Sequence, residues 1–347
     1  MLKYFNASIV FTIVGLICAY FWGEYRSAGS GFLALFIVSV LAILEVSLSF
    51  DNAVVNAMKL EKMSKEWQHR FLTWGIIIAV FGMRLLFPVS IVSIFAKIPF
   101  LETIKITLTD VYKYTYYLKQ THAAVLFFGA AFLLMLFLHY FLDEKKEVHW
   151  IKFIEKKISS LGSIQGLEAA ITLLMICIFQ SFLPTDNPEN HLTVILSGIS
   201  GVILYILMHG LSQWMEKHAP KNDTTAIKQS FKAGLVSFLY LELIDASFSL
   251  DGVLGAFALS KDIIIITLGL AIGAMFVRSF TIMLVDKKVL KQYIFLEHGA
   301  HWAIGVLALI MLISTIHEVP EVVTGLAGLI FIVWAFCSSI SYNKKAN

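Results

Sequence analysis

The segment Glu45-Val46-Ser47-Leu48-Ser49-Phe50-Asp51-Asn52 places two carboxylates and an amide inside an apolar stretch. A near copy follows as Asp245-Ala246-Ser247-Phe248-Ser249-Leu250-Asp251-Gly252. Each copy has an acid, serines two and four residues on, and a second acid six residues on. Ionisable groups buried in a bilayer are costly and by default mark an ion or substrate path. Two copies at one spacing make a stray charge a poor explanation.

On an ideal helix, at about 100° per residue, Glu45, Ser49 and Asn52 share one face. Asp51 stands about 240° from Glu45 and joins that face only if the backbone opens near Ser49–Asp51. In the second copy Glu242, Asp245 and Ser249 group together, and Asp251 again needs a break, which Gly252 can supply. Unwound backbone also frees carbonyl oxygens as ligands. The candidate metal ligands are therefore Glu45, Asp51, Asn52, Glu242, Asp245 and Asp251. These are hard oxygen donors that suit Mn²⁺, Mg²⁺ or Ca²⁺ in preference to Cu⁺ or a thiolate zinc site. Five carboxylates exceed what one divalent ion needs, so some are expected to carry a proton or to pair with Arg84 and Arg278. The arginines have two further readings, snorkelling to an interface and anion binding. Glu168 is either an additional ligand or an acid at a helix start.

Positioning such groups requires membrane helices. The 347 residues are 58% hydrophobic and 15% charged, where a soluble domain carries roughly 25% charged residues. Mean hydropathy is +0.79, and the deficit of charge comes from long uncharged runs of the length that spans a bilayer. About ten spans are expected, near 5–22, 32–58, 71–95, 123–142, 166–183, 192–209, 232–259, 263–285, 299–315 and 321–340. The second and seventh carry the acidic motifs and exceed a straight crossing, as tilted or broken helices do. Lysine and arginine concentrate in loops 59–70, 143–165, 210–231 and 286–297 and in the tail, which places both termini in the cytoplasm. Segment 96–122 opposes this with four lysines on the outer face and reads as an amphipathic stretch in the interface. The N-terminal apolar run reads as an uncleaved first helix.

A second match strengthens the duplication. Gly75 to Arg84 resembles Gly269 to Arg278, with an arginine nine residues after a glycine in the helix following each acidic helix. The chain is divided accordingly: an N-terminal helix over 1–30, a first repeat over 31–142, a charged linker over 143–165, connecting spans over 166–231 and a second repeat over 232–340. With ten spans the repeats enter from opposite sides. Inverted repeats of this kind are a transporter architecture with the site near the midplane.

Other chemistries fare worse. Cys18, Cys177 and Cys337 are far apart in apolar runs, which gives neither a disulfide framework nor a thiolate site. No GxSxG, HExxH or Walker A motif is present, so an enzyme is not expected. An intramembrane aspartyl hydrolase pairing Asp51 with Asp251 leaves Glu45, Glu242 and Asp245 unexplained. His139, His209, His298 and His301 lie near span ends and are left out of the ligand set. A net charge of +3 gives no reason to expect nucleic acid. No prosthetic group is expected. The partners expected are the bilayer and a divalent cation as transported substrate.

The motifs Glu45-Val-Ser-Leu-Ser-Phe-Asp51-Asn52-Ala53-Val54 and Asp245-Ala-Ser-Phe-Ser-Leu-Asp251-Gly252 resemble the TerC/Alx family of integral membrane proteins, and within it the branch named domain of unknown function 475. The resemblance covers roughly residues 30–340. It implies an inverted-repeat membrane carrier of the bacterial inner membrane that exports manganese, and it carries a family name tied to tellurium resistance. The matching positions are Glu45, Asp51, Asn52, Asp245 and Asp251. Gly252 stands where the first motif has Asn52, so the two halves are not identical. Alternatives to manganese export are another cargo such as Ca²⁺, tellurium resistance, or a non-transporting scaffold that helps secreted proteins acquire metal or fold.

Overall fold

The computed structural model describes residues 2–78, 81–82, 86–183, 188–217, 234–245, 256, 259–260, 262–317 and 319–346. Among these residues the fold is all-helical, as the long uncharged runs lead one to expect. The first half contains α1 (Asn6–Arg26), α2 (Gly31–Leu48), α3 (Phe50–Glu61), α4 (Lys65–Ile77), α5 (Phe87–Phe95), α6 (Phe100–Thr109) and α7 (Val111–Phe141). It is followed by α8 (Lys152–Ser159), α9 (Leu167–Ser181), α10 (Pro188–Lys217) and a helix over 234–245, here α11. The chain closes with α12 (Ile263–Asp286), α13 (Val289–Gln292), α14 (Leu296–Ser314) and α15 (Glu321–Ala346).

Six helices among the described residues are long and apolar enough to cross a membrane, and the α2–α3 pair, bent by 56°, makes a seventh if it is one span. The chain is therefore a multi-pass helical protein. The expected ten crossings are not all visible. At 15 residues, α9 is shorter than the roughly 20 residues a straight crossing takes. The expected spans over 71–95 and 232–259 run partly outside the described residues, as do loop positions 184–187 and 218–233. Segment 96–122 resolves into α6 and the first turns of α7, which starts twelve residues before the expected span. Val89, Val92, Ile106, Tyr114 and Leu118 form a small core there, while Phe100, Leu101, Tyr112 and Tyr116 are exposed.

Two helices organise the rest. Helix α7 is buried along most of its length and packs against α9, α10 and α14. Helix α12 packs along α2 and touches α1 and α3. The N-terminal helix is tied in by hydrogen bonds from Ser8 Oγ to the Met275 carbonyl at 2.9 Å and between the hydroxyls of Ser8 and Ser279 at 2.8 Å. Asp262 caps α12 by accepting from the Ile264 and Ile265 amides, and Trp22 and Arg26 of α1 hold the same carboxylate at 2.9 and 3.2 Å. Residue 262 thus fixes where α12 begins and how α1 lies beside it.

Candidate functional site

Serines decide where the first acidic helix stops. Ser47 Oγ bonds back to the Ile43 carbonyl at 2.7 Å, and Ser49 Oγ donates to Glu45 Oε1 at 3.2 Å. Such backward bonds compete with the helical ladder and bend it. Ser49 leaves the helix at φ −106°, ψ 18°, ending α2 and preceding α3. The opening required for Asp51 to rejoin the Glu45 face is thus present, at the expected place. Asp51 itself lies in the first turn of α3, and its side chain is outside the described residues.

In the second half, Glu242 and Asp245 lie one turn apart on α11 and are both buried. Arg278 of α12 meets them. Its Nη2 donates to both Glu242 oxygens, at 2.9 and 2.8 Å, and stands 4.0 Å from Asp245 Oδ2. Its Nη1 donates to the Phe71 carbonyl at 3.1 Å, and the guanidinium lies 4.2 Å over the Phe71 ring. Of the readings open for Arg278, pairing with an acid is the one the side chain adopts. Asn56 of α3 donates through Nδ2 to Asp245 Oδ1 at 3.1 Å. Its Oδ1 is buried and accepts no hydrogen bond from a described residue.

Glycines let these helices close. Gly75 has no side chain, and Arg278 and Glu242 occupy the room a Cβ would take. Gly273 lies against Cβ and Cγ of Glu45. Helix α12 is therefore a common wall, with Gly273 over Glu45 and Arg278 against Glu242 and Asp245 about 7.5 Å further along the axis. Gly75 of α4 thus lies against an acid of the second half, and Gly273 of α12 against an acid of the first.

The structure brings together Glu242, Asp245, Arg278 and Asn56, with Glu45, Ser49 and Asn52 buried on the adjoining helices. Arg84, Ser249, Asp251 and Gly252 lie outside the described residues. Among the described residues no group of three or more histidine, cysteine or acidic side chains is arranged to hold a metal ion. Glu168 is elsewhere. It sits in the first turn of α9 and lines a cavity of about 610 Å³ with His139, Asp143 and Gln213, a cavity to which none of the six candidate ligands contributes.

Sequence reasoning missed two groups. Asn56 follows Asn52 by one turn, and that spacing was a usable signal. The other is Glu155 in the linker, which is 1% exposed. Its Oε2 is met by His298 Nδ1 at 2.9 Å and by the Trp150 amide at 2.9 Å, and its Oε1 accepts from Trp302 Nε1 at 3.1 Å and from the Ile151 amide at 3.2 Å. Burial alone raises a carboxyl, but these hydrogen bonds and the neighbouring His298 outweigh it and hold Glu155 at about 2. Lys146, 4.0 Å away, is pushed down to about 8 by burial, against the pull of Glu155, Glu297 and Asp143. Its partners are 143 and 147 residues distant in sequence, so no local pattern announces them.

A family model described as "Protein of unknown function (DUF475)" matches residues 50–346, and the chain belongs to that family. The match takes in Asp51, Asn52 and the whole second motif, and begins just after Glu45. No curated protein and no solved structure matches the chain.

Proposed function

We propose that this member of a family of unknown function is a membrane carrier that exports divalent cations, manganese first among them, through a carboxylate site shared by two inverted repeats. The observation that carries the reading is the hydrogen bond from Asn56 to Asp245 in a buried space. It joins the helix that follows the first acidic motif to the acid that begins the second. A single ion needing about six oxygens must draw on both halves in this way. The buried Oδ1 of Asn56 supports it, because it offers oxygen to a cation. The resemblance to the TerC/Alx proteins supports the choice of manganese.

In this reading the ligands come from Glu45, Asp51, Asn52, Asp245 and Asp251. Glu242 is bonded to Arg278 at both oxygens and serves as its anchor. The arginine, 4.0 Å from Asp245, acts as the internal counter-ion that an arriving cation displaces. A carrier must exchange one compensation for another, since an uncompensated buried carboxylate is costly. The fuller topology has ten crossings in the bacterial inner membrane with both termini in the cytoplasm. Spans over 71–95, 166–183 and 232–259 join the six, and α2–α3 counts as one.

Purified protein in liposomes loaded with a Mn²⁺-sensitive dye tests this. Wild type should move Mn²⁺, and Asp51→Asn and Asp245→Asn should abolish movement while the proteins remain folded and inserted. Wild type that moves neither Mn²⁺ nor Ca²⁺ would leave the scaffold as the better reading.

A further inference from the structure

We propose that α8 and the residues flanking it form an interfacial collar that binds anionic lipid headgroups. The linker over 143–165 reads in sequence as a solvated charge run; Asp143, Glu144 and Glu147 are indeed exposed ahead of α8, but within α8 the structure sorts the charges. The one acid of α8, Glu155, is turned inward and used up by His298, Trp302 and two backbone amides. At about 100° per residue, Phe153 and Lys157 stand nearly opposite it. The outward face is thus basic and apolar. Lys157 is exposed on it, and Lys152 and Lys156 are exposed on the flanks of the helix. Phe153 is 74% exposed, and Leu161 and Ile164 are 48% and 52% exposed in the turns that follow. Lys157 Nζ lies 4.2 Å over the Phe153 ring. In water this mixture is unfavourable, but it fits an interfacial helix, whose rings enter the acyl boundary while its lysines meet anionic headgroups.

Depth is fixed independently of composition. His298 and Trp302, which hold Glu155, lie in the first two turns of α14, a membrane-length helix. They stand about 3 and 9 Å of rise past its start. The Trp150 ring lies 4.7 Å from that of Trp334, inside the final membrane-length helix. Through Glu155 the linker is therefore tied to the starting turns of α14, while the Trp150 ring reaches inward to the middle of α15. This inference does not depend on the cargo or on transport.

The test uses full-length protein with its three native cysteines replaced and Ser163→Cys carrying an environment-sensitive dye. The protein is placed in nanodiscs of phosphatidylcholine with or without phosphatidylglycerol. Lipids with a nitroxide near the headgroup should quench the dye in the anionic discs and much less in the neutral ones. Salt should reverse the difference. The combined variant K152Q/K156Q/K157Q should weaken phosphatidylglycerol retention on the order of one hundredfold, since each lysine near an anionic surface contributes roughly fivefold. Equal quenching in both discs would overturn the charge recognition. Absent quenching in both would overturn the interfacial placement and favour a soluble protein partner on this face. If the triple variant fails to fold, the salt titration of the parent protein decides alone.

Discussion

Two places in this protein bury a carboxylate, and they are built in opposite ways. Glu155 is saturated. Four donors fill its two oxygens, and Lys146 and His149 stand within 4.0 and 3.9 Å. The group at α11 is taut and incomplete. One guanidinium there serves Glu242 and approaches Asp245, and the Oδ1 of Asn56 beside them receives nothing from a described residue. A saturated carboxylate holds a structure in place. A carboxylate shared with one movable cation, next to an unfilled oxygen, can change partners. Burial alone does not separate the two cases, but the kind of partner does: backbone amides and rings at Glu155, a guanidinium and an amide side chain at α11.

The largest expected effect falls on Arg278. Arg278→Met leaves Glu242 buried without its counter-charge, and removing one partner of such a pair costs about 3–5 kcal/mol. The unfolding midpoint in detergent should drop accordingly, and E242Q/R278M should recover most of the loss. If the double variant is as stable as wild type but transports nothing, the pair exists for exchange. If it transports normally, the pair is only a strut and the contrast with Glu155 collapses.

Glu155→Gln comes next. It keeps the shape but removes the charge and turns an NH₂ toward groups that donate. Hydrogen bonds to charged partners contribute about 1.5–3 kcal/mol, so protease cleavage within 143–165 should accelerate clearly. Mn²⁺ flux should stay near wild type. Loss of flux in this variant, with the bundle still folded, would make Glu155 part of the transport machinery.

How much of this was readable from sequence differs between the two places. The acidic motifs were legible because each is local. Glu45, Ser49 and Asn52 share a face by arithmetic, and the offset of Asp51 from that face called for a break near Ser49–Asp51, where the helix bends. The pairing of Arg278 was readable only as one option of three, since geometry at α11 chooses it. Glu155 was illegible, because His298 and Trp302 reach it from another helix and the surrounding lysines disguise it as solvated. The span count is legible only in part. Hydropathy measures apolarity and not length in space, so 166–183 reads as a crossing while α9 has 15 residues.

The smallest effect is the pH dependence of linker docking, and its sign separates the two sites most cleanly. Glu155 lies at about 2 in the folded protein against an ordinary 4.5. Its ionised form is the one the fold favours, so its contribution is fully present above about 4.5 and is lost as pH falls toward 2. Lys146 lies at about 8 against 10.5. The fold disfavours its charge, so docking carries that penalty below about 8 and sheds it as pH rises toward 10.5. Between roughly 5 and 8 neither group changes. A nitroxide at Ser163→Cys, in neutral micelles that exclude lipid charge, should report constant mobility across that plateau. Mobility should rise below 4.5 and fall slightly above 8. A rise between 5 and 7 would place control with a histidine, either His298 at 2.9 Å or His149 at 3.9 Å from the carboxylate. Glu155 would then behave as the switch proposed for the site at α11, and the contrast between the two would be lost.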